Sequence, residues 1–129
     1  MPALKVLVIE DSSAMRSLIT ESVEDLDLTV VQAKNGFEAL RLLPAHRFEM
    51  IITDINMPAI NGLEFVSFVK GSDAYRAIPV IIVTTETAAA DRRKGLALGA
   101  AAYVTKPFDP EFLKSTVTQV LKNSRPSTA

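Results

Sequence analysis

Three short stretches of this chain are apolar almost without a break: LKVLVI at 4–9, FEMIIT at 48–53 and PVIIVT at 79–84. Successive side chains of a strand point to opposite faces, so a run without alternation has to be covered on both sides. Strands of that kind belong to parallel sheets, whose connections cross a face as helices. The intervening segments carry the helical period. Ser12 and Ser13 supply N-cap candidates, after which Met15, Leu18, Ile19, Val23 and Leu26 form one apolar stripe. Gly36 introduces a second helix with Phe37, Leu40 and Leu43 on one face, and 62–70 forms a third with Phe65, Val66 and Val69 inward. The segment TAAADRRKGLALG (87–99) is an alanine-rich helix that carries Gly95 inside and stops at Gly99. A last helix, about 109–122, is expected to bury Phe112, Leu113, Thr116, Val120 and Leu121. With LTVVQA (28–33) and AAYVT (101–105) as further strands, five strand–helix units alternate along the chain. The expected fold is an open parallel sheet with helices on both faces.

Composition narrows the function classes. The 129 residues suit one domain, expected over 1–123, with 124–129 as a short flexible tail. Fourteen basic against fifteen acidic residues give a net charge of −1, which offers no footprint for nucleic acid or a membrane surface. The chain has no cysteine, so disulfides, thiolate nucleophiles and cysteine-ligated zinc are excluded. With a single histidine, His46 in a loop, there is no case for a histidine relay. No apolar stretch approaches a membrane span and MPALKVLVIED lacks a signal-peptide layout, so a cytoplasmic location is expected. The ADRRK run at 90–94 is most simply the solvated face of its helix.

In open parallel sheets ligands bind beyond the carboxyl ends of the strands. Here those ends carry Glu10-Asp11, Asp54, Thr84-Thr85 and Lys106-Pro107. Each feature alone is ordinary: an acidic pair favours a helix N-terminus, and an aspartate commonly caps a loop. Their convergence on one edge is not ordinary. Three neighbouring carboxylates repel one another unless a cation joins them, and oxygen-only ligands suit a hard ion such as Mg2+. Lys106 adds a compact positive charge, and the Thr84 hydroxyl adds a donor. Together they make a site for a phosphoryl group on Asp54. A carboxylate is a competent nucleophile for phosphoryl transfer, and an aspartate ionised at neutral pH needs no general base. The rest of such catalysis is positioning and charge neutralisation.

Glu10-Asp11, DINMP with Asp54, VTTE with Thr84 and YVTKPF with Lys106 resemble the receiver domains of two-component response regulators, most closely the stand-alone chemotaxis type. The likeness runs from about Lys5 to Leu121 with all the motifs in order. It implies a flavodoxin-like five-stranded sheet of order 2-1-3-4-5 with five helices. It further implies that Asp54 is the phosphoacceptor and that Asp11 ligates Mg2+ directly. Glu10 would do so through water, and the Asn56 backbone carbonyl would complete the protein ligands. Thr84 and Lys106 would meet the phosphoryl group, with Tyr103 as an aromatic switch that swings inward. Asn56 and Glu86 would tune dephosphorylation, and the Lys106–Pro107 bond would be cis. The implied phosphodonor is a sensor histidine kinase. The implied output is a phosphorylation-dependent surface on helix 4, strand 5 and helix 5 that binds a downstream protein, the flagellar motor switch being one candidate. A monomer is expected, with no nucleic acid or membrane partner and no independent substrate turnover. Glu10 departs from the aspartate found in many receivers, and Ser12 and Ile55 replace aromatics of the chemotaxis type.

Other readings use the same residues. A phosphorelay intermediate or a phosphate sink would need no different site. A phosphatase of the haloacid dehalogenase type places a second aspartate two residues after its nucleophile, where this chain has Asn56. An interaction module that is never phosphorylated would have no use for Asp11, Asp54, Thr84 and Lys106 together. A nucleotide-binding flavodoxin-like protein would need a glycine-rich loop after the first strand, and EDSSAMR has no glycine.

Overall fold

The computed structural model describes residues 4–85 and 89–124. Five strands, β1 (Lys5–Ile9), β2 (Thr29–Ala33), β3 (Met50–Thr53), β4 (Val80–Thr84) and β5 (Ala102–Thr105), form one parallel sheet in the order β2-β1-β3-β4-β5. Five helices connect and follow them: α1 (Ser13–Glu24), α2 (Gly36–Leu42), α3 (Gly62–Gly71), α4 (Ala89–Ala97) and α5 (Pro110–Ser124). Central strands β1, β3 and β4 are buried nearly throughout, which is why their sequences do not alternate. Alternate residues serve two cores. Leu7, Ile9, Ile51 and Ile82 pack with Phe65, Val66 and Val69 of α3, whereas Val6, Val8, Ile52 and Ile81 pack with Ile19 and Val23 of α1 and Leu113 and Val117 of α5.

Helix starts follow their caps. The Ser12 hydroxyl accepts the Met15 N–H, Asn35 accepts the Glu38 N–H, and Asn61 with Glu64 closes a reciprocal capping box. Gly99 ends α4 with φ +111°, a conformation that only a residue without Cβ adopts freely.

Three apolar side chains expected inside are exposed instead: Leu18 by 37%, Phe37 by 58% and Phe112 by 57%. In α5 the inward row is Leu113, Val117 and Val120, spaced by four and three residues, and Phe112 stands about 100° around the helix from Leu113. In α2 the small residues Gly36 and Ala39 face the sheet, which turns Phe37 outward. The last helix continues to Ser124, two residues past its expected end, and 125–129 lie outside the described residues. No helix among the described residues is long and apolar enough to cross a membrane.

Ala59, in the loop between β3 and α3, has φ +70°, where an L-residue meets its own carbonyl. Ala59→Gly relieves that strain but loosens the unfolded chain, so we expect a net gain of about 0.5–1 kcal/mol. Urea denaturation checks it; an unchanged or lower midpoint would show that the loop absorbs the strain.

Candidate functional site

The parallel register brings the site residues together. Ile9 pairs with Thr53 across β1 and β3, so the next residues, Glu10 and Asp54, emerge side by side. Both are buried: Glu10 is 1% exposed and Asp54 7%. Asp11 follows on the surface. One carboxylate oxygen from each of Glu10, Asp11 and Asp54 lies within 4.8 Å of the others. On the other side, Thr84 pairs with Thr105 across β4 and β5, which puts Lys106 just past the sheet edge.

Asp54 is held in one orientation. Its Oδ1 accepts the Ile55 N–H at 2.7 Å and the Asn56 N–H at 3.3 Å, while Oδ2 accepts Lys106 Nζ at 3.1 Å. Lys106 Nζ also reaches Glu10 Oε1 at 2.5 Å, and Glu10 Oε2 accepts the Ser12 N–H at 3.0 Å. One ammonium therefore bridges two of the three acids. The sequence pattern pairs Lys106 only with the phosphoryl group. Glu10 makes this contact through an arm one methylene longer than that of aspartate. Asp11 has no ion-pair partner among the described residues.

Burial lifts the Glu10 carboxyl above its ordinary range, against the hydrogen bonds from Lys106 and the Ser12 N–H, and the Asp54 charge adds to the rise. Burial works to lower Lys106, but its hydrogen bonds to Glu10 and Asp54 and their negative charges outweigh it and leave the ammonium above the usual 10.5. A lysine raised in the folded state contributes stability below its unfolded value and loses it as pH climbs through the folded one. The stability gap between the wild type and Lys106→Met should thus be full near neutrality and shrink above pH 10.5. Paired urea titrations across that range measure the gap; a gap that widens with pH would contradict the charge assignment.

The Lys106–Pro107 peptide bond is cis. Thr84 is wholly buried, and Tyr103 lies inward at 8% exposure with the Arg92 guanidinium 5.9 Å from its ring centroid. That distance is within reach of a cation–π contact. Asn56 is exposed at its side chain, beside the site. Glu86 lies outside the described residues.

Two residues of the site lie outside the sequence pattern. Gly62, the first residue of α3, packs on the Asp54 main chain so closely that a Cβ there would stand 1.9 Å from the Asp54 carbonyl oxygen. Its one local signal was a glycine inside a helix start, where helix propensity disfavours it. Arg16 Nη1 donates to the Glu10 carbonyl at 2.8 Å. Nothing local in EDSSAMR distinguishes that arginine from a solvated one.

Residues 6–118 match the response regulator receiver domain. This chain belongs to that family. The receiver is 40% identical over 120 residues to the chemotaxis protein CheY homolog of Campylobacter jejuni, covering 92% of each chain. It is 37% identical to a probable transcriptional regulator, ycf29, of Pyropia yezoensis, covering 91% of the receiver but 53% of that longer protein. Among solved structures, chemotaxis response regulator CheY4 of Vibrio cholerae superposes with a TM-score of 0.85 at 37% identity, over 92% of the receiver and 99% of CheY4. Membership of the family and the observed strand order agree with the flavodoxin-like fold expected from the motifs. The acidic cluster of the receiver has the donor set a hard divalent cation requires: oxygen only, anionic and partly open to water through Asp11.

Proposed function

We propose that this receiver accepts a phosphoryl group on Asp54 from a sensor histidine kinase, in a Mg2+-dependent reaction, and then binds a downstream protein in a chemotaxis-type pathway. The supporting observation is the setting of Asp54: a buried carboxylate oriented by two backbone N–H groups and facing an ammonium. One Asp54 oxygen attacks phosphorus while the phosphorus–nitrogen bond to the donor histidine breaks, and the imidazole leaves with the electron pair. Asp11 and Asp54 would hold the ion directly, Glu10 through water and Asn56 by its backbone carbonyl. When bound, the ion supplies charge neutralisation to the transferring group. Lys106 then exchanges its carboxylate partners for phosphoryl oxygens, and the Thr84 hydroxyl donates to another.

Signalling follows from a shift between two states. Thr84 moves toward the phosphoryl group, and Tyr103, which already lies inward, is held there by the space that opens behind Thr84, so that the α4–β5–α5 face is fixed in one state. Asn56 and Glu86 set the lifetime of the phosphoprotein. The receiver turns over no independent substrate, works as a monomer and resides in the cytoplasm, with residues 1–123 as its functional unit.

Incubation with acetyl phosphate and Mg2+ should add one phosphoryl group, read by mass spectrometry, and chelation of the metal should abolish the gain. Affinity capture with and without beryllofluoride, a stable phosphoryl mimic, identifies the output. A motor switch protein retained only with the mimic supports the chemotaxis reading, and a phosphotransfer protein retained equally either way contradicts it.

A further inference from the structure

Arg16 sits in the first turns of α1, outside the acidic cluster, yet it ties that cluster to the neighbouring strand. Its Nη1 donates to the Glu10 main-chain carbonyl at 2.8 Å, its Nε donates to Gln32 Oε1 of β2 at 3.0 Å, and its own N–H is bonded to the Ser12 carbonyl at 2.8 Å. The Glu10 N–H is bonded in turn to Ala33 of β2 at 3.0 Å. Asp11 lies between Glu10 and Ser12, and its carboxylate has no ion-pair partner among the described residues to hold it. Its position is therefore set by the backbone on either side. The peptide unit that begins at the Glu10 carbonyl ends at the Asp11 N–H, so the guanidinium that holds the carbonyl also sets where Asp11 leaves the chain.

We infer that Arg16 is a positioning residue for the divalent-cation site: it holds the Glu10–Asp11 turn in the geometry the ion needs, without touching the ion. This rests on the Mg2+ reading of the site proposed above. Two effects of Arg16 on a cation oppose each other. Its positive charge repels the ion, so loss of charge alone would tighten binding. Its hydrogen bonds order the turn, so loss of the anchor weakens binding. The repulsion acts through partly exposed groups and is screened by water and salt. Loss of a hydrogen bond to a ligating group commonly weakens affinity about 10–100-fold. Arg16 acts one step further back, on the main chain that carries Asp11, so the lower end of that range applies. Anchoring wins, and the sign of the change tells the two roles apart.

The test is Mg2+ binding to the full chain, measured by calorimetry, with the wild type, Arg16→Gln, Arg16→Lys and Gln32→Ala. We expect Arg16→Gln to bind Mg2+ roughly tenfold more weakly. Arg16→Lys keeps the charge but lacks the planar fork that serves both acceptors, so it should weaken binding too. Gln32→Ala, on the exposed side of an edge strand, removes only the second tether and should weaken binding by about twofold or more. In phosphorylation by acetyl phosphate, the Mg2+ concentration at half-maximal rate should rise in step, while the rate at saturating Mg2+ stays within about twofold of wild type. Unchanged or tighter binding by Arg16→Gln overturns the inference, as does an equal fall of rate at all Mg2+ concentrations. Should Arg16→Gln not fold, Gln32→Ala decides: unchanged affinity overturns the inference and weaker affinity supports it. A wild type that binds no Mg2+ defeats the metal reading itself, a result distinct from wild-type binding that the Arg16 variants share.

Discussion

Asp54→Asn is expected to take up no phosphate from acetyl phosphate and Mg2+, and to fold nearly as well as the wild type. The amide is nearly the same shape, and its carbonyl oxygen can still accept the Ile55 and Asn56 N–H groups that orient Asp54 Oδ1. What it lacks is the anionic nucleophile. An amide is a poor attacking group, so the expected loss is complete within detection rather than fractional. Stability should change little, because two contributions oppose each other. Removal of one of three carboxylates grouped within 4.8 Å relieves like-charge repulsion, but the amide NH2 in the place of Oδ2 cannot accept from Lys106, which keeps only its contact with Glu10. We expect the metal-free variant to lie within about 1 kcal/mol of the wild type. Mass spectrometry and urea denaturation measure the two effects separately. Phosphorylation of Asp54→Asn at the wild-type rate would place the acceptor elsewhere.

Gly62→Ala should be the most damaging of the glycine-to-alanine changes in this chain. A Cβ at Gly62 would stand 1.9 Å from the Asp54 carbonyl oxygen, 2.7 Å from its carbonyl carbon and 2.8 Å from Ile55 Cα. All three atoms are main chain, and they cannot rotate away as the end of a side chain would. The same pair of segments is joined by the Gly62 N–H donating to the Ile55 carbonyl at 2.8 Å. Either α3 is pushed off the sheet or the end of β3 moves with Asp54. Overpacking against fixed backbone costs about 3 kcal/mol or more. Where the variant folds, displacement of the acceptor by about 1 Å would slow phosphorylation roughly 100-fold. Gly71→Ala is the control: a Cβ there meets nothing within 4 Å, and alanine favours the helix. A Gly62→Ala variant with the wild-type urea midpoint and phosphorylation rate would mean that the loop after Asp54 yields at no cost.

Much of the molecule was legible before any coordinates. Unbroken apolar runs announce strands covered on both faces, and the helical stripes between them leave an alternating parallel sheet as the fold that satisfies both. Once the strands are parallel, their carboxyl ends share one edge, so Glu10, Asp11, Asp54, Thr84 and Lys106 lie along it; the strand order that makes their strands neighbours came with the family resemblance. Helix faces were less legible where apolar residues outnumber the places for them. Phe37 and Phe112 are hydrophobic, but the inward rows were already filled by Ala39 and by Leu113 and Val117.

The sequence by itself determined the strands, the sheet edge and the set of groups placed along it, because the apolar period and the strand–helix alternation dictate them. Only the tertiary structure decided who touches whom. That Lys106 bridges Glu10 and Asp54, that Arg16 holds the Glu10 carbonyl and that Gly62 lies against Asp54 are contacts between segments distant or differently directed in the chain. Side-chain reach and backbone approach of a few ångströms settle such contacts. Those distances exist only once the elements have packed.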